Sequence, residues 1–140
     1  INKFVAGFIG SPAMNFISGK LDKAGDHIFF DSDDFKVVLP DDFNPILASH
    51  LNKGVTLGIR PEDVLSHELR DPKYQCQLEG KVDFRELMGA ETFLYLKIGK
   101  TPLVVRVDAM SDTKPGSLYC VYFNLHKLHM FDSETLKAII

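Results

Sequence analysis

Apolar and polar residues alternate along most of this chain, and only its opening departs from that rhythm. In "INKFVAGFIG", Phe4, Val5, Phe8 and Ile9 recur at i, i+1, i+4 and i+5, the apolar face of a helix. Gly10-Ser11-Pro12 ends that pattern. The period then becomes two. "MNFISGKLDKAGDHIFFDS" reads as strand, turn at Ala24-Gly25-Asp26, and strand. "FKVVLP" is a short strand stopped by Pro40. A short helix is expected from about Pro45 to Leu51, with proline in its first turn and Gly54 at its exit. "VTLGIR" is a strand. Pro61-Glu62-Asp63 follows as a turn or single helical turn, with acids where the helix dipole favours them. "LSHELRDPKY" reads as loop.

The second half is more regular. "QLEGKVDFREL" sets Leu78, Gly80, Val82 and Phe84 against Glu79, Lys81, Asp83 and Arg85, a half-buried strand. "MGAE" is a turn. In "FLYLKIGKTPLVVRV", Gly99-Lys100 reads as the two-residue turn of a hairpin, since glycine at the first loop position suits type II′. Pairing Ile98 with Thr101 places Leu96 opposite Leu103 and Leu94 opposite Val105, so the apolar residues of both strands share a face. "SDTKPGS" is a loop with a Pro-Gly turn. "LYCVYFN" is apolar on both faces and therefore central. "KLHMFD", a turn at Ser133-Glu134 and "LKAII" close the chain as a hairpin.

About nine or ten short strands with closely spaced turns indicate a mainly β protein, a small antiparallel barrel or sandwich with minor helical turns. A boundary between two strand-rich halves is expected near Arg70-Asp71-Pro72. The 140 residues suffice for one domain with a real core. Apolar residues make up 45% and charged residues 25%, normal for a globular domain. No apolar run approaches the roughly 20 residues of a membrane-spanning helix, so no direct membrane insertion is expected. The amphipathic opening does not read as a signal peptide. The chain opens at Ile1 rather than Met, which leaves room for an upstream part. A net charge of −3 argues against general nucleic-acid binding, which wants a basic face.

Candidate chemistry is sparse. Gly99-Lys100-Thr101 matches the end of a phosphate loop, but that motif needs glycine at position 94, which is Leu94, and a helix where Pro102 begins a strand. His126 and His129 form an H-x-x-H; in a strand their rings point to opposite faces and chelate nothing together. Asp31, Asp33, Asp34, Asp41 and Asp42 lack the glycine and distal Glu of a calcium loop and read as solvated turns. No G-x-S-x-G is present. Cys76 and Cys120 lack metal-type spacing; free buried thiols are expected, with a disulfide left open. Lys81, Arg85, Lys97 and Arg106, with Phe93 and Tyr95, form at best a weak single-strand-binding face. No catalytic set, metal site or cofactor site is expected in this chain.

Four segments taken together resemble a known family. "NKFVAGFIGSPAMNF", "LGIRPEDV", "ELMGAETFLYL" and "LHMFDSETLKAI" are similar, in order and spacing, to the C-terminal region of the ATP-binding subunits of ABC sugar importers of the maltose, glycerol-phosphate and multiple-sugar type. The resemblance covers nearly the whole chain. It implies an OB-type (TOBE) β-barrel over 13–140, preceded at 1–12 by a linker helix from an ATPase domain. ATP and Mg would belong to that upstream domain. The implied role is regulation and dimerisation, with contacts to the ATPase domain, a second copy, the permease subunits through the parent chain and a regulatory protein. The implied location is cytoplasmic, peripheral to the inner membrane. Phe4, Phe8 and Ile9 become candidates for the interdomain contact. Gly10, Pro12, Met14, Asn15, Gly58, Arg60, Pro61, Glu62, Gly89 and Glu91 become structural motif positions, with Arg60 a partner for a carboxylate and Gly89 at an unusual backbone angle. Related TOBE domains of molybdate systems bind oxyanions, so small-ligand sensing is the alternative. One departure stands out: the family often carries glycine near position 136, where this chain has Leu136.

Overall fold

Alternation becomes two antiparallel sheets in the computed structural model, which describes residues 13–108 and 113–140. The linker-helix reading of 1–12, and with it Phe4, Phe8, Ile9, Gly10 and Pro12, lies outside the described residues. Sheet I has the order β10-β4-β1-β2-β3 and sheet II the order β5-β9-β6-β7-β8. Sheet I is built from β1 (Asn15–Ala24), β2 (His27–Asp31), β3 (Lys36–Val38), β4 (Gly54–Ile59) and β10 (His129–Asp132). Sheet II contains β5 (Val64–Leu65), β6 (Gln75–Met88), β7 (Glu91–Ile98), β8 (Thr101–Val107) and β9 (Leu118–Asn124). The chain leaves sheet I after Ile59, builds sheet II, and returns for β10.

Inward residues of both sheets share one core. Phe30, Leu57 and Ile59 from sheet I meet Leu94, Leu96 and Phe123 from sheet II, all fully buried. Each such side chain contributes roughly 2 kcal/mol by leaving water. Close packing dictates Gly19 on β1: a Cβ there would lie 2.5 Å from the Asp31 carbonyl and 2.6 Å from the Phe30 ring. A smaller cluster, Met14 and Phe131 with Phe16 against them, lies apart from this core.

The β7–β8 hairpin has the expected register, Ile98 to Thr101, Leu96 to Leu103 and Leu94 to Val105. Gly99 has φ +61°, and Lys100 is not at positive φ, as a type II′ turn requires. Gly89 also has positive φ, +63°. β9 has neighbours on both sides.

Four local expectations are corrected. First, β6 carries a bulge between Val82 and Phe84, so Asp83 is an extra residue and the parity of the strand reverses. Phe84 therefore faces outward, 49% exposed, and stacks on Tyr95 with ring centroids 4.3 Å apart. Second, the short helix α1 is Asn44–Leu47, flanked by 3-10 turns at Asp41–Phe43 and Ala48–His50. Its exit uses Asn52 at φ +63°, while Gly54 opens β4. Third, the stretch read as loop contributes β5 and a 3-10 turn at Pro72–Tyr74. Fourth, His126 belongs to a 3-10 turn, Leu125–Lys127, rather than a strand. It stacks on Tyr74 at 4.0 Å, whereas His129 is in β10.

The cysteines are both free and half-buried. Cys76 pairs with Phe123 and Cys120 with Glu79, three positions apart along the ladder and on opposite faces. That separation, about 10 Å, exceeds disulfide reach. Burial pushes the Cys76 thiol up to about 11, so it stays protonated and inert.

Candidate functional site

Five of the motif positions, Met14, Asn15, Gly58, Arg60 and Pro61, lie where β1 begins and β4 ends. Asn15 pairs with Ile59 and Phe16 with Gly58 across these strands. Met14 lies over Gly58, where a Cβ would come 2.6 Å from the Met14 sulfur and 3.0 Å from the Phe131 ring. Gly58 is thus small because Met14 and Phe131 close over it.

Asn15 reaches beyond its own sheet. Its Nδ2 donates to the Val104 carbonyl at 2.9 Å, and the Val104 N–H donates to its Oδ1 at 2.8 Å. The amide mimics one residue of a strand against β8, the open edge of sheet II. It is 8% exposed, so both bonds are shielded from water. An uncovered strand edge invites pairing with another chain, and Asn15 blunts this one.

Arg60, Pro61 and Glu62 follow directly. Pro61 is buried at the start of a 3-10 turn, Pro61–Asp63, that packs against β8. Burial raises the Asp63 carboxyl, and the Glu62 charge adds to this; Lys127, Arg60 and His129 pull the other way. Arg60 is near enough to Asp63 for its charge to act on that carboxyl. His129, across the strand pair from Gly58, is lowered by burial and by Arg60. Desolvation thus favours the neutral form of both Asp63 and His129.

Glu62 and Glu91 come together in an open cleft of about 430 Å³, which they line with Ser66, His67, Arg106 and Asp108 among others. Glu91 pairs with Arg106 at 3.5 Å, both half-exposed, a contact worth little by itself. Gly89 is in the turn just before Glu91, and nothing lies within 4 Å of where its Cβ would be. Its requirement is backbone angle alone.

A second tie joins the sheets at the far end of β8. Asp34, read from sequence as a solvated turn residue, accepts a hydrogen bond from Thr101 Oγ1 at 2.6 Å. The Lys100 backbone N–H donates to the same carboxylate; these two bonds, Thr101's first, hold its pKa below the ordinary value. Asp34 and Thr101 are 67 residues apart, and no local pattern signals their meeting.

Part of the basic and aromatic strip is paired within its own sheet. Lys97 pairs with Asp83 at 3.7 Å, Arg106 with Glu91, and the Tyr95 hydroxyl donates to Glu86 at 3.2 Å. Phe93 is buried, 2% exposed, and cannot stack a base. Among the described residues no helix is long and apolar enough to cross a membrane.

Comparison with known proteins agrees with this geometry. Residues 10–64 match the family described as MalK OB fold domain, and residues 57–131 match the TOBE domain family. The overlap of the two matches falls where the chain passes from sheet I to sheet II. An ABC transporter ATP-binding protein of Escherichia coli, YcjV, is 41% identical over 140 residues, spanning 99% of this chain and 37% of the relative. The multiple sugar-binding transport ATP-binding protein MsmK of Streptococcus mutans is 41% identical over 141 residues, with the same coverage. The trehalose/maltose import ATP-binding protein MalK of Thermococcus litoralis is 34% identical over 143 residues. The chain thus spans 37% of the length of these relatives. Among solved structures, the cytoplasmic molybdate-binding protein ModG aligns with a TM-score of 0.58 at 17% identity, covering 83% of this chain and 94% of that one. That likeness concerns the fold. Resting on the TOBE match over more than half its length, the chain belongs to the family of OB and TOBE domains carried by the ATP-binding subunits of ABC sugar importers.

Proposed function

We propose that this chain is the regulatory and dimerisation part of a cytoplasmic ABC sugar-importer ATP-binding subunit. The carrying observation is the convergence of Met14, Asn15, Gly58, Arg60 and Pro61 where the described chain begins, beside an edge strand that Asn15 binds directly. A domain joined upstream of Ala13 would address the seam between the two sheets at that point. ATP and Mg would bind in the upstream domain. The permease subunits would be reached through the parent chain at the inner membrane, and a regulatory protein and a second copy would meet the exposed faces of this one. Regulation of this kind requires contacts that differ between two states of the parent.

The interdomain reading places Phe4, Phe8 and Ile9 at the contact with the upstream domain. In the full-length subunit, changing all three to serine should leave ATP hydrolysis and reduce sugar uptake roughly tenfold, a coupling loss of about 1.4 kcal/mol. Unchanged uptake would reject this contact. Sedimentation of the 140-residue chain tests self-association separately.

Small-ligand sensing finds less support. The turn after β10 has N–H groups that could receive an anion, but Asp132 Oδ1 already accepts from Glu134 at 2.8 Å and Thr135 at 3.0 Å. Thermal shifts with molybdate, tungstate, sulfate and sugar phosphates decide this reading. No shift with any of them on the wild-type chain removes it.

A further inference from the structure

Each sheet ends in two outermost strands, and three of these four are covered. β10 is bridged by residues near the end of the chain: Ile139 N–H donates to the Met130 carbonyl at 2.7 Å, and Phe131 pairs with Ala138. β8 is held at Val104 by Asn15, and β5 packs against β8, so those two edges close on each other. β3 is the fourth, and among the described residues no strand pairs with its outer side. Its hydrogen-bond parity is fixed by its neighbours. The Phe35 carbonyl accepts from Ser32 N–H at 3.1 Å, and Leu39 N–H donates to the Ile28 carbonyl at 2.9 Å. Residues 35, 37 and 39 therefore turn their backbone groups to β2, and Lys36 and Val38 turn theirs outward. The Lys36 carbonyl meets the Cys76 thiol at 3.7 Å, whereas Val38 opens on a cleft.

That cleft, of about 230 Å³, lies between β3 and the start of β6, with Val38 and Pro40 on one side and Pro72 and Gln75 on the other. Val38 is 59% exposed, an apolar side chain left at an open edge. The charges on the lip are unequal. Asp41 and Asp42 stand against Lys73, and Asp71 adjoins Pro72. Lys36 holds its ammonium 5.2 Å from the centre of the Phe29 ring, on the β2 side. An open edge is a template for another extended chain, and short strands, lysine and proline limit what it can recruit. β3 has three residues, begins with Lys36 and is followed closely by Pro40, so it suits a short segment and not a growing sheet.

We propose that β3 is a docking edge for a short extended peptide of a partner protein, an apolar residue flanked by Lys or Arg. The peptide backbone would pair with the N–H and carbonyl of Val38, one side chain would enter the cleft, and the basic flanks would meet Asp41 and Asp42. Docking of this kind is independent of an ATPase and of the function proposed above.

The test is NMR of the nitrogen-labelled 140-residue chain titrated with the acetylated, amidated peptide Arg-Val-Leu-Val-Arg. The Lys36 and Val38 amide resonances should move. The same peptide with Glu in place of both Arg should bind roughly tenfold more weakly. Backbone pairing is tested with the protein unchanged, by peptides N-methylated either at the leucine or at both valines. At least one of them should lose binding, because alternate N–H groups of an extended chain face its neighbour. Val38→Pro, which removes an outward N–H, should also abolish binding; if it does not fold, the methylated peptides decide. Stationary Lys36 and Val38 amides at roughly 1 mM peptide overturn the proposal. So does equal binding of the acidic peptide, or full binding by both methylated peptides. Movement of those amides on concentrating the chain without peptide would assign the edge to a second copy and overturn it as well.

Discussion

Sheet II contains two hairpins that look alike in sequence and behave differently in the fold. Both turn on two residues with glycine first, Gly89-Ala90 and Gly99-Lys100, and both glycines have φ near +60°. Around Gly89 there is open space; at Gly99, Asp34 from the other sheet fills the position of a missing Cβ. β8, beyond Gly99, is tied to sheet I at Thr101 and again at Val104. β6, before Gly89, bulges and projects Phe84, Leu87 and Met88, which are 49%, 69% and 39% exposed. Turn chemistry makes a hairpin, and contacts from distant residues decide whether it is fastened into the barrel or left outside it.

The sharpest test of this difference is a pair of alanines. Gly99→Ala should cost about 3 kcal/mol in urea unfolding, since it adds a collision with Asp34 to a strained backbone. Gly89→Ala should cost only about 1 kcal/mol, the price of the left-handed angle alone. Equal losses would mean that Asp34 does not fasten the tip.

Asn15→Ala comes next, at about 2 kcal/mol, because it leaves both polar groups of Val104 without partners on a shielded edge. The same variant should associate more readily at high concentration, measurable by light scattering. Phe84→Ser should cost about 1 kcal/mol, the value of its stacking on Tyr95, and should improve solubility. A larger loss would place Phe84 in a core, contrary to the bulge.

Leu136→Gly should act in the opposite direction. Leu136 has φ +64° and is 43% exposed, so the chain bears left-handed strain with modest burial in return. Glycine should raise stability by about 0.5 kcal/mol, relief of strain being offset by a looser unfolded chain. With leucine at this left-handed position the final turn still closes, through Asp132 N–H to the Lys137 carbonyl at 2.9 Å.

The smallest signal is in pH. Asp34 has a lowered pKa in the fold, so its contribution is present above the unfolded value near 4 and is lost as pH falls through the folded value. The urea midpoints of wild type and Asp34→Asn should therefore be separated at neutral pH and converge on acidification. A separation that persists at low pH would exclude the Asp34 carboxylate as its source.

The β7–β8 hairpin was legible in the sequence because register follows from alternation once the turn is fixed. The β6 bulge was not legible, since Val82-Asp83-Phe84 reads as apolar-polar-apolar with or without an extra residue. What revealed it was the partner strand, where Leu96 and Tyr95 face opposite sides. Asn15 and Gly58 were singled out through family resemblance, and their physical role appeared only when β1 and β4 were aligned. Asp34 is exposed in a turn, as expected, but its partners Lys100 and Thr101 lie on the other sheet and no local pattern signals them.

The Asn15 amide has a mechanical consequence. Its two bonds to Val104 link the first residue of β1 directly to the edge of the opposite sheet. A pull on the polypeptide at Ala13 would load this pair and the start of the β1–β4 ladder together, like two stitches at the mouth of a seam. Force arriving there would reach β8 without first crossing the hydrophobic core.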